Sequence, residues 1–462
     1  MRTTDKKIET REIFETGPVP SALARMAIPT IISQLITLIY NIADTWFIGR
    51  TDNPYMVAAS SLVLTVYLMT VAIANLFGVG GGSLVVRLLG RKEEPEAKKV
   101  ASLSLVLAAG ASLAFSVLCL LFMDPLLRLL GASENTIGFA RQYLFLVVVI
   151  GSLPTVLANT MSAMVRNIGY SREAGFGLGM GGVLNVVLDP VFMFVLLPDG
   201  YEVAGAAAAT MLSNLVTFLY FVFIYRRLKG KTVLSLPRRV EKIRPESMRS
   251  LFSVGIPAAM SMLLFDLCNI VINKLAAGHG DLELAAIGIV LKVERLPLNI
   301  GIGICLGMMP LAAYNYASKN HKRMLDFFRS ARTAGLIVSV LCVIFYRIFA
   351  APIIGLFISE ADTVRFGTGF LQSRCFATPF MFLSFHMVHF MQAAGRGKAS
   401  FQLAVIRQLF LNIPILFLMD YLFGMSGIVW TQLIADLVNV GISYLIYSRL
   451  IKEILSGKKE AV

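Results

Sequence analysis

The sequence predicts an all-α polytopic membrane protein: twelve transmembrane helices in two six-helix bundles related by a pseudo-twofold axis along the membrane normal. Three observations carry that prediction. Of the 462 residues, 56% are apolar and only 15% charged, and the mean hydropathy is +0.73, whereas a soluble domain carries roughly 25% charged residues. Twelve apolar runs are long enough to cross a hydrocarbon core of ~30 Å, which takes about 20 residues each. The basic residues then fall almost wholly on one side of the membrane that those runs define. Disorder and a disulfide scaffold are both excluded by this composition.

The runs cover residues 23–48, 55–83, 100–123, 137–160, 174–197 and 204–225 in the first half. In the second they cover 250–275, 284–312, 328–350, 366–390, 399–422 and 427–448. With an even number of spans the termini share a face. That face collects 32 Lys and Arg and the opposite face six: Arg50, Arg128, Arg141, Lys274, Arg347 and Arg365. By the positive-inside rule both termini are cytoplasmic, so the net charge of +14 reflects topology and not nucleic-acid binding. The first 20 residues are polar and lack the apolar core of a cleaved signal, which predicts a chain starting in the cytosol. Cys119, Cys268, Cys305, Cys342 and Cys375 all lie inside apolar runs and read as unpaired thiols.

The longest basic gap divides the chain. We expect a cytoplasmic N-terminal segment over 1–22, an N-lobe over 23–225, a basic cytoplasmic linker over 226–249, a C-lobe over 250–448 and a cytoplasmic tail over 449–462. The two halves repeat each other at an offset of 222 to 228 residues. AIPTIISQLITLIYNI at 27–42 returns as GIPAAMSMLLFDLCNI at 255–270, VGGGSLVVRLLGRKE at 79–93 as LGMMPLAAYNYASKN at 306–320, and RNIGYSREA at 166–174 as QAAGRGKAS at 392–400. Repeats of six helices keep one orientation and enclose a central cavity reachable alternately from either side, which favours a transporter.

Ionisable side chains at bilayer depth are costly, so each is a site candidate by default. In the first span Ser33, Thr37, Asn41 and Asp44 step by 4, 4 and 3 along one face, with Gln34 and Tyr40 adjoining. In the fifth span Asn185 and Asp189 share a face, and on the sixth Thr210 adds a hydroxyl. Two carboxylates in one apolar bundle form a site for a cation or a proton, because burial and mutual repulsion disfavour leaving both charged and empty. The bland alternative is that Asp44 caps a helix end near Gly49 and Asp189 prepares a break before Pro190. The second half places Asp266 in the seventh span, Lys292, Glu294 and Arg295 in the eighth, Arg374 in the tenth and Arg407 in the eleventh. Counted as two acids against four bases, it reads as neutralised by internal ion pairs, with Asp266, Glu294 and Arg295 as a possible second site. His386 and His389 on the tenth span read as polar contacts within the bundle, with a proton relay as the sharper alternative.

Other patterns fail on context. Gly177, Gly179 and Gly182 match GxGxxG, but no strand precedes them, so they read as close-packing glycines of a membrane helix. No GxxxxGK[ST], HExxH, GxSxG or Cys/His metal cluster is present, and we expect no cofactor beyond a coupling ion, H⁺ or Na⁺.

Taken together, IPTIISQLITLIYNIADTWFIG (28–49), GVGGGSLVVRLLG (78–90), LNVVLDPVF on the fifth span, GAAAAT (205–210) and YNYASKN (314–320) resemble the multidrug and toxic compound extrusion (MATE) family, and within it the bacterial multidrug-exporter branch. The resemblance implies two six-helix lobes and export of amphipathic, mostly cationic compounds in exchange for H⁺ or Na⁺. It carries an aspartate of the first helix onto Asp44, an Asn and an Asp of the fifth onto Asn185 and Asp189, and a threonine of the sixth onto Thr210. Members with a second-lobe cation site have an acid on the seventh helix, where Asp266 falls, and another on the tenth, where this chain has Arg374. The expectation is therefore an antiporter working as a monomer in a bacterial plasma membrane on small organic cations. A flippase for lipid-linked precursors is the competing transporter reading, resting on the four bases of the second half, and a polytopic membrane enzyme is the competing reading from another class.

Overall fold

A computed structural model describes residues 12–51, 53–198, 200–237 and 241–455. Parts of the expected N-terminal segment (1–11), basic linker (238–240) and tail (456–462) lie outside them. Secondary structure among the described residues is helical apart from one isolated bridge, Lys229 with Thr232.

Among the described residues nine helices, or ten with one bent pair, are long and apolar enough to cross a membrane; dividing the last at Gly424 and adding the broken helix over 361–393 gives twelve segments in order. The first half has α1 (Val19–Gly49), α2 (Pro54–Gly90), α3 (Glu94–Leu121), α4 (Ile137–Ile150 and Ser152–Asn167, bent by 47°), α5 (Ser171–Leu196) and α6 (Glu202–Leu228). The second has α7 (Pro245–Ala276), α8 (Asp281–Ala317), α9 (His321–Gly355) and α10 (Ala361–Arg374 and Thr378–Ala393, joined by one tight turn). It closes with α11 (397–423) and α12 (425–455). The last two run on as helix through a kink at Gly424 (φ 57°, ψ −141°). Taken as one element, Gly397–Glu453 has 57 residues and would extend about 85 Å, nearly three hydrocarbon thicknesses, so the kink separates two crossings. Only a glycine accepts that left-handed φ without strain.

The chain forms two compact units, one of Met1–Thr16 with Ile32–Ala259 and one of Gly17–Ile31 with Met260–Val462. The first unit holds two apolar cores. One gathers Phe77, Val85, Met161, Met164, Phe221 and Tyr225, and the other Val63, Leu127, Leu144, Val148, Met193 and Ala206. The second unit packs Ile287, Val290, Tyr346, Ile354, Leu371 and Ile428 together.

Unit membership changes within α1 and within α7, and in both cases just after a proline, Pro29 or Pro257, which costs the helix one backbone hydrogen bond. The packing on the two sides is the same. In the first unit a Cβ on Gly80 of α2 would sit 2.8 Å from the Cα of Gly255 on α7; in the second, a Cβ on Gly307 of α8 would sit 2.6 Å from the Cα of Ala27 on α1. Gly80 and Gly307 are partners in the sequence repeat, as are Ala27 and Gly255. Small residues recur there because two helix backbones touch. Turn geometry repeats too: among the described residues the non-glycine positions with positive φ are Lys92 and Lys319, both at 62°, and Gly169 and Gly395 take φ of 97° and 73°. The repeat seen in the sequence is thus a repeat of contacts and turns.

Candidate functional site

The first unit brings together the acids of α1 and α5. Asp189 is fully buried and Asn185, one turn before it, is 3% exposed. The Asn185 amide Nδ2 donates both to Asp189 Oδ1 at 3.1 Å and to the Thr210 hydroxyl at 3.2 Å. Asp44 is near enough for its charge to act on Asp189 and on Tyr40. Tyr67 of α2 is hydrogen-bonded to Tyr40 and to Asn214 of α6, and Tyr143 of α4 stands within the field of both carboxylates.

Local sequence explains why these side chains meet. The glycines of α5 let two helices approach: a Cβ on Gly182 would lie 2.9 Å from Ile36 Cγ2 and 3.0 Å from a ring carbon of Tyr40 on α1, and one on Gly181 would run into the Thr217 hydroxyl of α6. Near the other end of the α5–α6 contact, a Cβ on Gly205 would stand 2.8 Å from the backbone of Phe192. The small residues GAAAA that precede Thr210 therefore bring α6 against α5 closely enough for Thr210 to reach Asn185. After Asp189 comes Pro190, and the helix loosens into a π-turn over Phe192–Leu196. The GxGxxG match is helix packing, as the missing strand implied.

Three oxygens in this cluster are buried with no hydrogen-bond donor among the described residues: Asp44 Oδ1, Asp189 Oδ2 and Asn185 Oδ1. No basic side chain pairs with Asp44 or Asp189 among the described residues. Unmatched acceptors in an apolar interior carry a large desolvation cost, and a proton or a small monovalent cation held among them relieves it. No cluster of three or more His, Cys, Asp or Glu with metal-site geometry occurs among the described residues. Of the polar stripe on α1, Tyr40 joins the site through Tyr67, while Gln34 and Thr37 are half-buried and Asn41 is exposed.

The acids of the second unit are in a different situation. Glu294 accepts from Arg374 at 2.7 Å in a buried pair. Arg407 grips Asp436 through two bonds, 2.5 and 3.1 Å, while Gln432 and Ser384 also donate to that carboxylate. Asp266 lies 3.7 Å from Arg295, whose side chain is half exposed, and Lys292 points outward. Two acids against four bases is an undercount: Asp436 of α12 is a further, fully buried acid, and Asp420 near the end of α11 is another, paired with His279. The signal of Asp436 was a lone aspartate in an apolar run, four residues after Gln432. Asn214, four residues after Thr210, was equally readable. Tyr67 and Tyr143 were not, since only tertiary packing carries them to the site. The four bases that supported a diphosphate-binding cavity are largely committed: three pair with acids. His386 is buried between Phe328 and Phe382, with ring centroids 4.4 and 5.6 Å away. Its polar contact is with the Phe328 backbone and no side chain among the described residues pairs with its nitrogens, so it packs among aromatic rings, and His389 bonds the Phe385 carbonyl at 2.8 Å.

Repeated halves of apolar helices, with acids lacking a basic partner inside one of them, define a polytopic membrane protein of transporter type. The family model described as MatE matches residues 29–191 and 257–418, one block in each half. The chain belongs to this family. It is 30% identical over 443 residues to the multidrug export protein MepA of Staphylococcus aureus, covering 95% of this chain and 96% of that one. MepA of Staphylococcus saprophyticus is likewise 30% identical, over 445 residues and the same shares. Among solved structures, a MATE in complex with MaL6 superposes with a TM-score of 0.91 at 22% identity, covering 97% of this chain and 99% of that chain. An outward-facing multidrug resistance MATE transporter superposes at 0.89 and 24%, covering 95% and 97%. These two likenesses carry the fold.

Proposed function

We propose that the protein exports amphipathic, mostly cationic compounds by antiport, exchanging them for a proton at Asp44 and Asp189 of the first unit. The observation that carries this reading is the pair of interacting buried carboxylates with unfilled oxygens and no basic partner. Protonating such a carboxylate removes a buried charge, and the free energy released can favour one packing of α1 over another, since Pro29 has already removed a backbone bond there. Asn185 and Thr210 hold Asp189 in place, and the tyrosine cluster shields the pair from bulk water. Export of several unrelated drugs is consistent with the names of the staphylococcal relatives. The location that fits is a bacterial plasma membrane with both termini cytoplasmic, and the protein works as a monomer.

The test is dye or drug uptake into inside-out proteoliposomes under separately imposed proton and sodium gradients. A proton gradient alone should drive uptake, and Asp44→Asn should abolish it at unchanged protein level. Uptake driven by sodium alone would replace the proton with Na⁺ at the same oxygens. Translocation of a lipid-linked diphosphate without drug uptake would favour the flippase instead.

A further inference from the structure

On the second unit, α9 and α12 both pack on α10 and leave between them a groove of about 460 Å³. Its floor and walls are apolar, formed by Leu336, Ile337, Leu383 and Val440, and one end carries Arg332 and Tyr444. No carboxylate among the described residues pairs with Arg332. Its guanidinium lies 5.9 Å above the ring of Phe328, which is itself stacked on Tyr447 at 4.8 Å. The cation is thus held in place over an aromatic platform and left without a counter-ion. Arg332 lies about a third of the way along α9 and Tyr444 about two thirds along α12, each four residues inside the basic end of its apolar run (328–350 and 427–448). Both lie toward the helix ends that the Lys and Arg bias assigns to the cytoplasmic leaflet, and the apolar part of the groove runs from there toward mid-membrane. The walls are open on the outside: Ile337 is 56% and Tyr444 58% exposed.

From this placement we infer a binding site for one anionic phospholipid of the cytoplasmic leaflet, its phosphate on Arg332 and the Tyr444 hydroxyl and an acyl chain along the groove. Charge complementarity selects the occupant: a zwitterionic lipid would bring its own cation up to Arg332, while an anionic headgroup supplies the missing counter-charge at a level where such lipids reside. The site is separate from the carboxylates of the first unit, and its occupancy does not depend on their role.

The experiment is native mass spectrometry of the full-length transporter released from vesicles of equal phosphatidylglycerol and phosphatidylcholine. Wild type should retain one phosphatidylglycerol in preference to phosphatidylcholine. Arg332→Ala should lower that retention about fivefold, the attraction of one basic residue for an anionic leaflet, and leave phosphatidylcholine unchanged. Ile337→Trp, which fills the groove at an exposed position and leaves the charge in place, should displace the same lipid; it also serves if Arg332→Ala does not fold. Equal retention of the two lipids by wild type, or undiminished phosphatidylglycerol on the folded variants, would overturn the inference.

Discussion

Asp189, like Asp44, differs from the other buried acids among the described residues in having no basic partner. Glu294 and Asp436 each face an arginine, whereas Asp189 faces an amide, a hydroxyl at one remove and another carboxylate. Removing charge from the first unit therefore should not cost stability. Asp189→Asn is expected to fold and reach the membrane at wild-type levels while efflux falls at least about tenfold, the loss that about 1.4 kcal/mol of coupling would produce; resistance assays beside membrane immunoblots read both quantities. Removing charge from the second unit should do the reverse. Arg407→Met leaves Asp436 ionised without its partner in an apolar interior, which costs about 3–5 kcal/mol. Thermal melting should show the loss, and the double variant Arg407→Met/Asp436→Leu should recover most of it with transport retained. If the double variant melts no higher than the single one, the Arg407–Asp436 pair is not what the second unit depends on.

Helix contacts in the first unit are set by absent side chains. A Cβ at Gly181 would meet only the end of Thr217, a side chain that can be trimmed, whereas one at Gly205 would meet the backbone of Phe192, which has nowhere to go. Gly181→Ala is expected to destabilise by about 1–3 kcal/mol, as overpacking does, with Thr217→Ala restoring the melting temperature. Gly205→Ala should have no such rescue and should also lose efflux, because it moves Thr210 away from Asn185. Rescue of both glycines by trimming neighbouring side chains would show that close approach of α5 and α6 is not the constraint. The sequence made much of this scale legible. Apolar length located each span, with ends up to seven residues short of the helices because polar turns extend them, and the glycines of α5 were readable as packing. The π-turn after Asp189 and the kink that joins α11 to α12 as continuous helix were not, since each depends on how a neighbouring helix lies against it.

Over the whole chain, the two halves repeat each other in contacts and turns but not in electrostatics. Gly80 and Gly307, Lys92 and Lys319, and Gly169 and Gly395 occupy matching places in the repeat. The central carboxylates do not match: Asp44 and Asp189 have no basic partner among the described residues, whereas Glu294 and Asp436 are each neutralised by an arginine. Which half carries uncompensated charge could be read from the sequence because the basic residues of the first six spans, Arg25, Arg87, Arg141 and Arg166 among them, lie toward the span ends and none adjoins Asp44 or Asp189 in the sequence. What was missed, Asp436, lay in the half where acids and bases are numerous and only coordinates pair them. The functional asymmetry predicted is that neutralising both partners of a second-unit ion pair is tolerated, while neutralising Asp44 alone is not.

The most direct measurement is proton release from the purified transporter in weakly buffered solution on addition of a transported cation. Wild type is expected to release protons on binding, and the Asp44→Asn/Asp189→Asn variant to bind without release. Undiminished release by that variant, or efflux at the wild-type rate, would contradict the assignment of ion exchange to these two carboxylates.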